Sequence, residues 1–122
     1  MSCAAGLAVL DVLEEEQLIP HAQAVGGYVQ QGLAQLATRH SLIGDLRGRG
    51  LFFGAELVRD RVTREPAPAE ARQLVNSMRK RGVLISKIGK HDNVLKMRPP
   101  MPFANEHADL LLSALDDCLK AL

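Results

Sequence analysis

Residues 93–103, Asn-Val-Leu-Lys-Met-Arg-Pro-Pro-Met-Pro-Phe, constrain the fold more than any other stretch of the chain. With the period of two of an extended strand, Leu95 and Met97 face one way and Val94, Lys96 and Arg98 the other. A strand over 94–98 therefore has an apolar side suited to a core and a cationic side. Same-side residues stand roughly 6–7 Å apart, so Lys96 and Arg98 can grip one anionic group or two neighbouring ones. Pro99 and Pro100 end the ladder, because neither donates a backbone hydrogen bond and each fixes φ at about −65°. Cations on the solvent face of an edge strand also guard a sheet against edge-to-edge pairing, and these residues alone leave both readings open.

Upstream of this strand, periodicity predicts two helices. Residues 2–16 read as a helix with Ser2 as cap, apolar on nearly every face until Glu14-Glu15-Glu16. A helix apolar all round is covered all round; either a segment upstream of Met1 supplies that cover or this domain buries the helix itself. Residues 21–39 carry one stripe, Ala22, Val25, Val29, Leu33, Leu36 and Ala37, at spacings of three and four. Gly26, Gly27 and Gly32 each weaken that helix by about 1 kcal/mol relative to Ala, and close packing is a reason to keep them. His21 and His40, at its two ends, read as ordinary surface residues.

The period then changes. Residues 42–45 read as a turn, and 51–58 as a mostly buried strand with Leu51, Phe53, Ala55 and Leu57 on one side. Gly48, Gly50 and Gly54 interrupt this region, and isolated glycines in strands mark bulges or the close approach of another backbone or a ligand. The Arg47-Gly48-Arg49-Gly50 run lacks the Lys-Ser/Thr sequel of a phosphate-binding loop, so two solvated arginines at a bulge explain it equally well. A charged, Pro-containing surface loop (59–69), a helix (69–81) ended by Gly82, a short strand (83–86) and a polar loop (87–93) lead back to the strand at 94–98. A last helix, which Asn105 can cap, carries the stripe Ala108, Leu111, Leu112, Leu115, Cys118 and Leu119. The expected class is α+β: a small, mostly antiparallel sheet of about three strands with helices packed on it. The expected organisation is one domain over 1–122, with 17–122 as its core.

Charge and composition exclude several functions. The net charge of +1, no Trp, one Tyr and three Phe argue against a nucleic-acid or anionic-membrane surface. No apolar run reaches the length of a membrane span. Cys3 and Cys118 lie in helical patterns, not at metal-ligand or redox spacing, and read as packing residues of a reducing, cytoplasmic compartment. Glu14 to Glu16 and Asp116-Asp117 read as solvated helix faces, and His91-Asp92 as a loop pair with little claim to proton transfer. No nucleophile elbow, zinc-binding helix or dinucleotide fingerprint is present, so no residue is assigned a catalytic, cofactor-binding or metal role.

Four segments in order carry a resemblance. Ser-Cys-Ala-Ala-Gly-Leu-Ala-Val-Leu-Asp-Val-Leu-Glu-Glu-Glu (2–16), Gly-Asp-Leu-Arg-Gly-Arg-Gly-Leu-Phe-Phe-Gly-Ala-Glu-Leu (44–57), Arg-Gly-Val-Leu-Ile-Ser (81–86) and Asn-Val-Leu-Lys-Met-Arg-Pro-Pro (93–100) together resemble the C-terminal part of class III aminotransferases. These are pyridoxal-phosphate (PLP) enzymes of fold type I. The resemblance implies a small C-terminal domain, a large PLP-binding domain upstream linked through residues 1–16, and a homodimer with its active site at the subunit interface. It implies that the lysine holding the cofactor and its acidic partner belong to the large domain, so this chain alone binds no PLP and does not transaminate. Many members carry Arg-x-x-Pro-Pro, whose Arg binds the substrate carboxylate. Lys96 stands at that position and Arg98 where a small residue is common, which makes Lys96 the first and Arg98 the second expected substrate-binding residue. The same segment is similar to the phospho-lyase branch of the class. Decarboxylation within the class, or a free-standing ligand-binding or dimerisation module, is also compatible with these residues.

Overall fold

The computed structural model describes all 122 residues. Its helices are α1 (Ser2–Glu15), α2 (Leu18–Arg39), α3 (Pro68–Lys80) and α4 (Asn105–Lys120). Its strands are β1 (Ile43–Arg49), β2 (Phe52–Asp60), β3 (Glu65–Pro66), β4 (Ser86–Ile88) and β5 (Val94–Met97). The sheet order is β1-β2-β5-β4, with β3 added to β2, and every pairing is antiparallel. The α+β class holds, and the sheet has five strands where about three were expected.

Pairing of β2 with β5 places Phe53 opposite Met97 and Ala55 opposite Leu95. All four side chains are buried, with Leu57 beside them. Val29, Leu33 and Leu36 of α2, Leu74 and Met78 of α3, and Leu111 and Leu115 of α4 join them in one cluster of 22 buried residues. Each large side chain so buried contributes about 1.5–3 kcal/mol. The stripes read from periodicity in α2 and α4 are the buried ones.

β1 and β3 occupy stretches expected to be turn and loop. β1 buries only Ile43 among its seven residues, so its sequence lacks alternation, and its pairing with β2 is what extends it. A register shift at Gly44 and a two-residue turn at Gly50-Leu51 frame that hairpin. β4 begins at Ser86, beyond most of the expected strand at 83–86. Residues 83–85 make no strand pairing, and Leu84 is 82% exposed. α1 corrects one reading outright: none of its residues is buried, so this domain does not cover it, and Leu7, Val9 and Leu10 lie 63%, 59% and 57% exposed.

Helix ends are closed by specific groups. Gly82, at φ +80°, ends α3: its N–H donates to the Arg79 carbonyl and the Val83 N–H to the Met78 carbonyl, the paired bonds of a left-handed C-terminal cap. At α4 the first helical residue is Asn105 and Ala104 is the cap; His107 Nδ1 reaches back to accept the Ala104 N–H at 3.0 Å, so the helix start is closed from its third residue and not by the side chain of Asn105. Ser2 is likewise inside α1, with Met1 preceding it. The Arg61 guanidinium donates to the carbonyls of Ala37, His40, Ser41 and Ile43, tying β2 to the end of α2.

His40 and Asp116 are not free surface groups. The Asp116 carboxylate meets Lys120 at 2.7 Å, His40 Nε2 at 2.6 Å and Arg39 at 3.3 Å, and so joins the end of α2 to α4. Lys120 first, and then His40, hold the Asp116 carboxyl down to about 2 from an ordinary 3.8. A depressed carboxyl stabilises the fold fully above its unfolded value and loses that contribution as pH falls through the folded one. Stability therefore falls between about pH 4 and pH 2 in part through Asp116. Denaturant titrations across that window will show a shallower acid slope in Asp116→Asn than in the native chain.

Two adjacent glycines give a second test. A Cβ on Gly26 would overlap the Gly50 carbonyl oxygen, whereas a Cβ on Gly27 meets nothing within 4 Å. Gly26→Ala will therefore destabilise by about 1–3 kcal/mol through overpacking. Gly27→Ala will stabilise by up to about 1 kcal/mol through helix propensity. Thermal unfolding of the two variants reads the opposite signs directly.

Candidate functional site

β5 lies between β2 and β4. Lys96 is therefore not an edge guard, and that reading of the cationic strand falls away. Alternation along β5 buries Leu95 and Met97 and leaves Val94 and Lys96 half-buried on the opposite face, as the sequence indicates. Cross-strand register sets Lys96 beside Gly54 on β2 and Ser86 on β4, and sets Gly54 beside Arg47 on β1. The resulting cleft, of 380 Å³, is lined by Arg47, Arg49, Phe52, Gly54, Val94 and Lys96 among others, and by no acidic residue.

The charges in that cleft are not equivalent. Arg47 is held by Asp45, at 3.3 Å, and by Glu56. Arg49 and Lys96 take part in no ion pair. An anion entering here meets two cations whose charge nothing in the chain neutralises, and a guanidinium and an ammonium offer it complementary donors.

Arg98 is placed differently. It is exposed one residue past β5 and lines a separate 300 Å³ cavity with Leu84, Phe103, His107 and Leu110. The two cations that the sequence set side by side thus border different hollows. His91 and Asp92 do not form a pair: Asp92, at φ +54°, is bound by Lys87, which holds its carboxyl below the usual range. A larger hollow of 780 Å³ borders His21, Tyr28 and Glu106 and contains no Lys or Arg. There, His21 shares a 2.8 Å hydrogen bond with the Phe103 carbonyl, and the Tyr28 hydroxyl donates to Asp109. No group of three or more His, Cys, Asp or Glu is placed to hold a metal ion, and no helix is long and apolar enough to cross a membrane.

Arg49 and Gly54 are the neighbours of Lys96 that residue-by-residue reading did not join to it. The available signal was the unexplained glycines of 48–54, read as bulges or sites of close approach; which strand they would face was not legible.

The family model described as aminotransferase class-III matches residues 1–119. The chain is 47% identical over 116 residues to alanine–glyoxylate aminotransferase 2 homolog 2, mitochondrial, of Arabidopsis thaliana, covering 95% of this chain and 24% of that protein. Among solved structures, a phospholyase from Arthrobacter in complex with phosphoethanolamine superposes with a TM-score of 0.92 at 50% identity, covering 98% of this chain and 28% of that one. An amine transaminase from an uncultivated Pseudomonas species, in its PLP-bound form, gives 0.89 at 36% identity, covering 98% and 27%. The chain thus spans about a quarter of the length of these relatives. With the family match running over nearly every residue and the small-domain fold reproduced, the chain belongs to the class-III aminotransferases, the pyridoxal-phosphate-dependent family of fold type I.

Proposed function

We propose that this chain is the C-terminal, substrate-facing part of a PLP enzyme whose larger cofactor-binding part lies upstream, and that the whole moves an amino group between an amine or amino acid and a keto acid. Lys96 anchors the anionic group of the substrate, and Arg98, which borders a separate hollow, is the second residue assigned to substrate binding, away from that anchor. The observation that carries this reading is the acid-free cleft around an unpaired Lys96, on the sheet face away from the core.

PLP supplies the electron sink for such chemistry when bound. This chain's own residues do not complete a site for it. Lys96 stands among Arg47 and Arg49, and the nearest acids, Asp45 and Glu56, are occupied by Arg47, which leaves no carboxylate to pair with a pyridine nitrogen. Lys87 and Lys120 are held by Asp92 and Asp116. The family resemblance assigns the lysine that holds the cofactor and its acidic partner to the upstream part, and the isolated chain is expected neither to bind PLP nor to transaminate. Residues 1–16 are the link to that part, which covers the exposed leucines and valines of α1. The active site forms at a homodimer interface, as the family resemblance implies. Free Cys3 and Cys118 fit a reducing compartment such as the cytoplasm.

One observation favours a second reading, elimination of phosphate from an amino-alcohol phosphate. Lysine stands where a planar carboxylate grip would need arginine, and a relative at 50% identity is a phospholyase in complex with phosphoethanolamine. Assaying the polypeptide that joins this chain to its upstream part separates the two: phosphate released from phosphoethanolamine supports elimination, and keto-acid-dependent amino transfer supports transamination. In that polypeptide Lys96→Ala will lower kcat/KM for anionic substrates about 10- to 100-fold, the loss of a charge-assisted contact worth about 1.5–3 kcal/mol. An unchanged kcat/KM removes Lys96 from the site.

A further inference from the structure

The cleft around Lys96 contains more than the anchor requires. Arg49 lines the same wall, is exposed and free of any carboxylate, and lies at the end of β1 opposite Phe52. Its neighbour Arg47 shows what the fold does with an arginine it needs for itself: it is clamped by Asp45 and Glu56. Four of the other eight arginines are likewise engaged, Arg39, Arg59 and Arg81 in ion pairs and Arg61 on backbone carbonyls, while Arg64, Arg72, Arg79 and Arg98 are unpaired outside this cleft. A cation left unpaired on an open surface is ordinary; two of them lining one acid-free cleft give it a positive potential that an anion would offset.

Gly54 makes room for that anion. It sits in the row between Arg47 and Lys96, and its backbone is the floor of the cleft. The fold does not demand a glycine there, since a Cβ would stand 3.5 Å from the nearest atom, a Val94 methyl, which is ordinary contact. Phe52, 53% exposed, and Ile88, 41% exposed, give the cleft an apolar rim that strengthens electrostatic contacts inside it.

We propose that Arg49 is a second anion-binding residue of this site, acting with Lys96 across the Gly54 floor to hold a dianionic phosphate in preference to a monoanionic carboxylate. The proposal rests on the second, phosphate-eliminating reading with Lys96 as the substrate-anion anchor, and extends it to a residue 47 positions earlier in the chain. A tetrahedral dianion presents oxygens in several directions, so a guanidinium fork on one side and an ammonium on the other both find acceptors. A single carboxylate has one plane and one charge to share between them.

Backbone amide shifts of this chain, followed by NMR during titration with inorganic phosphate at constant ionic strength, test it. Saturable shifts are expected at Arg49, Gly54 and Lys96, with acetate binding at least fivefold more weakly. Arg49→Gln is expected to weaken phosphate at least fivefold, while Arg64→Gln, which removes an equal charge outside the cleft, changes it less than twofold. Phosphate affinity unchanged in Arg49→Gln but lost in Lys96→Ala overturns the role of Arg49 and leaves the Lys96 anchor standing. Affinity unchanged in both variants, or no saturable shift, overturns both. Equal losses in Arg49→Gln and Arg64→Gln reduce the effect to net charge and also overturn the proposal, as does acetate binding as tightly as phosphate.

Discussion

The antiparallel register of β2 against β5 is the constraint on which the rest depends. Setting Phe53 opposite Met97 and Ala55 opposite Leu95 points four apolar side chains at the helices. The same period of two then sends Gly54 and Lys96 to the other face. A slip of one residue would exchange the two sets, burying an ammonium and exposing a phenyl ring. Core and candidate site are thus two faces of one pairing. Asn93 extends the pairing past the strand: its carbonyl accepts the Leu57 N–H and its side-chain amide donates to the Leu57 carbonyl, both at 2.8 Å, which satisfies a polar side chain only 3% exposed.

Periodicity made the helices and the two central strands legible, because their burial is one-sided and repeats. α4 is the cleanest case, with Ala108, Leu111, Leu115, Cys118 and Leu119 all buried along one stripe. β1 was not legible because its strand character comes from its neighbour: only Ile43 is buried, Gly44 reads as a turn residue and Gly48 as a bulge. The run Val83-Leu84-Ile85 misled in the opposite direction, since β-branched residues imply a strand where the backbone makes no pairing until Ser86. That Lys96 faces away from the core could be read from alternation alone. That Arg49 shares its cleft could not, because β1 and β5 meet only through the register each makes with β2.

Charge placement separates structure from site. Asp116 gathers Arg39, His40 and Lys120 where α2 and α4 meet, and Arg59 spans Glu65 and Glu70 to join β2, β3 and α3. Arg61 closes the carbonyl end of α2, a position favourable to positive charge. His40 and Asp116 looked like solvated surface in sequence because they lie 76 residues apart along the chain. Each such contact satisfies an acid or a helix end that the fold itself created.

The identity of the cation at position 96 carries a further consequence. An arginine would impose a plane on whatever it binds, and two parallel hydrogen bonds would fix a carboxylate in orientation as well as position. A lysine fixes position only: three rotatable donors around a point charge accept an oxygen from many directions. Orientation must then come from a second group, and on this sheet face Arg47 is unsuited to supply it because Asp45 and Glu56 already occupy its donors. Arg49 has its donors free on the same cleft. If Arg49 and Lys96 hold one anion as proposed, specificity at this face is a matter of spacing across three strands, and a substitution at Gly54, which carries no charge, acts on it as directly as one at Lys96.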